Sequence, residues 1–122
     1  MPDQRDATPS RLLDVTALEE VLVAFARERN WERHHSPKNL AMALTGEVGE
    51  LVELFQWTDE RASFDVAREP ETARAVRDEL ADVLIYLVRL ASVLGVDLDE
   101  AVRTKIVASR VKYPAGGTGT GG

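Results

Sequence analysis

Apolar residues recur along most of this chain at the spacing of one helical face, and the breaks in that spacing divide it into four segments. The first holds Leu18, Val21, Leu22 and Phe25 behind Thr16-x-x-Glu19, a capping-box pattern, which predicts a helix running to about Asn30. WERHHSP interrupts the pattern, and Ser36-Pro37 then offers an N-cap followed by proline at the first helical position. The helix predicted there carries Leu40, Ala43, Leu44, Leu51, Leu54 and Phe55 and ends near Trp57. TDERASFDVAREP reads as a polar connection with room for one short helical turn. After Pro70 a broad apolar face of Val76, Leu80, Val83, Leu84, Leu87, Val88, Ala91 and Leu94 predicts a third helix, stopped at Gly95. Asp97-x-x-Glu100 caps a fourth, which runs to about Tyr113, where Pro114 ends it. No strand-like alternation or solenoid repeat competes, so the fold class is all-α. Residues 13–113 form the expected domain. The polar segment 1–12 and the glycine-rich tail 114–122 are expected to be flexible.

Charge and composition narrow the partners. A chain of 122 residues supports one domain and a modest core, for which self-association is a natural supplement. With 21 acidic residues against 15 basic ones the net charge is -6, so a phosphate backbone repels the chain, and no basic stripe with interleaved aromatics offsets this. A nucleic-acid polymer is therefore excluded as a partner, whereas a phosphorylated small molecule is compatible if divalent cations invert the local field. The chain has no cysteine, hence neither disulfides nor thiolate chemistry. No run of about 20 apolar residues suggests a membrane span, and the N-terminus lacks the apolar stretch of a signal peptide. The expected compartment is the cytoplasm.

Two acidic pairs interrupt the apolar pattern. Positions 43, 47, 50 and 54 share one helical face, which sets Glu47 and Glu50 in line with Ala43 and Leu54. Positions 75, 79, 82 and 86 repeat the spacing and align Glu79 and Asp82 with Ala75 and Tyr86. A single E-x-x-E is ordinary on a solvated helix, because Glu is a good helix former. Two such pairs at core-adjacent positions of consecutive helices repel one another and call for a divalent cation or for protons. All-oxygen ligation suits Mg²⁺, with Mn²⁺ as substitute. Di-iron bundles add E-x-x-H ligands, and here the only histidines, His34 and His35, precede the second helix.

The stretches FARERNWERHHSPKNLAMALTGEVGELVELFQW, DELADVLIYLVRLASVLGVDL and AVRTKIVASRVKYP together resemble the MazG-like all-α nucleotide pyrophosphohydrolases, within them the dCTP pyrophosphatase branch. The E-x-x-E and E-x-x-D pairs, with 28 residues between them, fit the metal signature of that family. The resemblance implies a four-helix MazG-like bundle assembled as a dimer or a dimer of dimers, a homotetramer being preferred. It also implies Mg²⁺ held by Glu47, Glu50, Glu79 and Asp82, with Glu47 or Glu50 activating water, and hydrolysis of a nucleoside triphosphate to its monophosphate and pyrophosphate as a housecleaning activity. Trp31 and Trp57 match tryptophans around the base, and His35 and Tyr86 match polar positions near substrate. Lys38, Lys105 and Arg110 are candidate phosphate partners. Ser109 stands where that branch has an asparagine facing the base, which removes an amide able both to donate and to accept. The alternatives are an all-α dUTPase-like enzyme, differing in the pocket, and a non-catalytic helical oligomerisation or regulatory module.

Overall fold

The computed structural model describes residues 10–116, so the expectations for 1–9 and 117–122 lie outside the described residues. It is all-helical: α1 (Thr16–Glu28), a 3-10 turn (Glu32–His34), α2 (Pro37–Glu53), a one-turn α3 (Glu60–Ser63), α4 (Ala73–Leu94) and α5 (Leu98–Lys112). The four long helices are those the apolar spacing predicts, and α3 is the short turn in the polar connection.

The ends of these helices follow from local chemistry, with two corrections. Ser36 Oγ accepts from the Asn39 amide with Pro37 behind it, and Asp97 accepts from the Glu100 amide, both as predicted. Gly95 adopts the left-handed φ of 69°, while its amide bonds to Ser92 O and that of Val96 to Ala91 O, closing α4. Thr16, by contrast, lies inside the first turn of α1 and caps nothing; its amide donates to Asp14 Oδ1, a nearer acceptor that displaces the capping box. α2 ends at Glu53 and not at Trp57, because the amides of Leu54 and Phe55 bond three residues back and tighten the chain into turns.

α4 is the central element, packing mainly against α2 and to a lesser extent against α1. Its Val76, Val88 and Ala91 are buried, joined by Leu40 of α2, Ala26 of α1 and Val66 of the connection. α5 stays outside this seam. Its base is tied to the N-terminal segment through Asp99, whose carboxylate accepts from the Leu12 and Leu13 amides at 2.7 and 2.9 Å. Burial alone would raise the Asp99 pKa; the two amides and the nearby Arg11 and Arg103 hold it below its ordinary value. Large apolar side chains remain exposed, among them Phe64, Val107, Val111 and Trp57. No described helix is long and apolar enough to cross a membrane.

Candidate active site

Packing α2 on α4 brings the two acidic pairs together. Glu47, Glu50 and Glu79 place carboxylate oxygens within 4.8 Å of one another; Glu50 is exposed and the other two are half-buried. Glu47 Oε2 and Glu79 Oε2 are buried with no hydrogen-bond partner. A hydrogen bond to Glu47 that forms only once a proton is taken up, followed by burial and the neighbouring Glu50, pushes Glu79 up to about 7. Glu47 is also raised: its bond with Glu79 acts to lower it, but burial and the charges of Glu50 and Asp82 outweigh that contact. Asp82, half-buried one turn beyond Glu79, is felt electrostatically and lies outside the close trio. Hard oxygen donors, unsatisfied buried lone pairs and protons taken up to relieve repulsion are the features of a set that fits a divalent cation.

Two turns further along α4 a second feature opens toward α1. α1 ends in a Schellman motif, with Asn30 at φ 57°, its amide bonded to Arg27 O and the Trp31 amide to Ala26 O. The motif folds Trp31 back on Phe25, the rings meeting edge to face at 5.6 Å. Both rings line a cavity of about 340 Å³ together with His35, Leu40, Tyr86 and Arg89. The Arg89 Nε donates to His35 Nδ1 at 3.1 Å. Burial, then the charges of Arg89 and His34, lower the His35 pKa and favour the neutral imidazole.

Of the residues singled out in the sequence, the fold thus unites Glu47, Glu50 and Glu79 in one cluster and Trp31, His35 and Tyr86 in another. It does not bring in the rest. Trp57 is 90% exposed and outside the aromatic cavity. Lys38 is exposed in the first turn of α2, Lys105 lines a separate shallow cavity on α5, Ser109 is half-buried and Arg110 exposed on that helix. Phe25 and Arg89 belong to the aromatic cavity and were missed. The signal for Arg89 was available, since it interrupts the apolar run VLIYLVRLA as the carboxylates interrupt theirs.

The MazG-like family matches residues 43–119, a span that holds both acidic pairs. The chain is 45% identical over 115 residues to dCTP pyrophosphatase 1 of Mus musculus, covering 92% of this chain and 68% of that protein. It is 50% identical over 91 residues to dCTP pyrophosphatase 1 of Homo sapiens, covering 75% of this chain and 54% of the human protein, so it spans only about half the length of that relative. Among solved structures, a pyrophosphatase from Archaeoglobus fulgidus superimposes with a TM-score of 0.76 at 37% identity, over 88% of this chain and 98% of the other. From the matched motif, the relatives and the shared fold together, the chain belongs to the MazG-like family.

Proposed function

We propose that this protein is a nucleoside triphosphate pyrophosphohydrolase, converting dCTP or a modified pyrimidine deoxynucleotide to its monophosphate and pyrophosphate, in the cytoplasm, with residues 13–113 as the catalytic domain. The observation that supports it most is the pair of buried carboxylate oxygens, on Glu47 and Glu79, that nothing in the described chain satisfies. Glu47, Glu50, Glu79 and Asp82 are the residues to hold Mg²⁺, which when bound supplies neutralisation of the triphosphate charge. Glu50 or Glu47 takes a proton from the attacking water, and the exposure of Glu50 supports it over the half-buried Glu47. An oxygen–phosphorus bond forms to that water as the bridging bond to pyrophosphate breaks. The nucleoside occupies the cavity of Trp31, His35 and Tyr86, where its base stacks on aromatic rings.

Lys38 is assigned to the phosphates from the same chain. Trp57, Lys105, Ser109 and Arg110 reach substrate from a neighbouring copy in a homotetramer. The near-complete exposure of Trp57, the exposed Phe64, and the Val107 and Val111 face of α5 favour such an assembly, because a lone subunit leaves these groups in water.

The test is pyrophosphate release from a panel of canonical and modified triphosphates with Mg²⁺, wild type beside Glu50→Ala. Release by wild type, with the variant slower on the order of 100-fold or more, is the expected result. Wild type inert toward every triphosphate sinks the proposal and leaves the oligomerisation module in its place.

A further inference from the structure

Arg89 is 9% exposed, as buried as any charged side chain of the described residues. Burying a guanidinium is costly unless it is paired, and carboxylates are its usual partners. Among the described residues its partner is a neutral one, the His35 imidazole at 3.1 Å. A guanidinium offers five N–H donors, and this contact uses one of them. The side chain lines the 340 Å³ cavity, whose walls Phe25, Trp31, Leu40 and Ile85 offer only carbon or a ring N–H, while the Tyr86 hydroxyl, the one side-chain acceptor there besides His35, makes no hydrogen bond to Arg89 and would satisfy only part of the guanidinium's donor capacity. His35 accepts at Nδ1, so as a neutral ring it carries its proton on Nε2 and is a donor as well. The cavity is thus apolar and flat-walled, with its polar capacity weighted toward donors and a buried positive charge in want of an acceptor.

Position separates the two ligand parts that could supply it. Arg89 lies ten positions after Glu79 along α4, a rise of about 15 Å. That is the reach of an extended nucleoside triphosphate. Phosphates held near the carboxylates therefore leave the base, and not a second phosphate, beside Arg89.

We infer that Arg89 is the specificity-determining residue of this cavity, donating hydrogen bonds to a carbonyl oxygen of the base stacked there and so selecting carbonyl-bearing bases over adenine. The inference rests on the proposed function for the identity of the ligand. Cytosine, uracil, thymine and guanine each present such an oxygen, whereas adenine has no carbonyl, carries an amino group where guanine has O6, and offers a guanidinium only ring nitrogens. A site built around a buried donor discriminates strongly against a ligand that leaves it unpaired.

The experiment compares kcat/KM for dCTP, dUTP, dTTP, dGTP and dATP in wild type, Arg89→Met and Arg89→Lys. Calorimetric binding of 2′-deoxyuridine and 2′-deoxyadenosine without metal runs beside it. Methionine keeps the length and apolar stem but has no donor. The expected loss in Arg89→Met is on the order of ten- to a hundred-fold for the four carbonyl-bearing substrates, mainly through KM, with a far smaller loss for dATP, so that the selectivity ratio collapses. Arg89→Lys, a single point donor, falls between the two. Equal losses for dATP and the others, or no loss for any of them, overturn the inference, the first outcome pointing to a phosphate contact. If Arg89→Met does not fold, wild type that binds 2′-deoxyadenosine as tightly as 2′-deoxyuridine overturns it alone. Wild type that releases no pyrophosphate yet binds 2′-deoxyuridine preferentially sinks the hydrolase reading and keeps the assignment of Arg89.

Discussion

The two ends of α4 each interrupt an apolar stripe with charge, and they do so with opposite sign. Toward α2, Glu79 faces Glu47 and Glu50, with buried oxygens left unsatisfied and protons recruited to limit repulsion. Toward α1, Arg89 is buried against a neutral histidine in an aromatic cavity. Neither charge is balanced by its surroundings, and both would be destabilising in a protein that met no ligand. The first asks for a cation and the second for a hydrogen-bond acceptor. One helix therefore sets the distance between a metal-binding end and a base-reading end, and the difference between them assigns the halves of the substrate.

The sharpest way to break this comparison is to remove one carboxylate. Glu47→Gln is expected to lower pyrophosphate release on the order of 100-fold or more and to abolish Mg²⁺-dependent stabilisation, while raising the melting temperature of the metal-free protein at pH 8 by relieving repulsion. Arg89→Met should keep the Mg²⁺-dependent melting shift. Calorimetric melts of both variants with and without Mg²⁺ distinguish the two ends, and loss of the shift in Arg89→Met would merge them.

A smaller effect is the dependence on pH. Glu79 titrates at about 7 in the folded chain against an ordinary 4.5, so the folded state binds the proton more tightly than the unfolded state. The stability this contributes is fully present below about 4.5 and is lost as pH rises through about 7. Melting temperatures measured with a chelator should therefore fall between pH 5 and pH 8. Saturating Mg²⁺ should flatten that slope by replacing the proton; at 100 times its Kd the ion adds about 2.7 kcal/mol. A metal-free protein that grows more stable over this range would contradict the acidic cluster.

The smallest effect belongs to neither end. Ser36→Ala removes the N-cap of α2 and should cost about 1 kcal/mol in denaturant unfolding, leaving both the base preference and the Mg²⁺ response in place. A change in base preference would show that the start of α2 is coupled to the cavity.

Much of this was legible in the residues because the signals were local. Ser36-Pro37, Gly95 and Asp97-x-x-Glu100 act over one helical turn, and the helix ends they predict appear where expected. Thr16 failed because Asp14 competed for the same amide, and Trp57 because the chain tightened into turns with no periodic signal ahead of it. The spacing of Glu47, Glu50, Glu79 and Asp82 was readable as two pairs, but not that three of them would converge and Asp82 stand one turn aside. Arg89 went unread because a single charge in a long apolar run resembles a solvated position until the neighbouring helices are known.

The helices, their order and the faces on which charge interrupts carbon follow from the residues alone, since propensity, capping and periodicity all act within about four residues along the chain. That α4 packs against both α2 and α1, so that one of its charged interruptions meets carboxylates and the other meets Trp31 and His35, is a choice that belongs to the tertiary fold. That choice comes from packing between segments distant in the chain, where the burial of Leu40, Val88 and Ala26 selects one arrangement of faces that each helix alone leaves open.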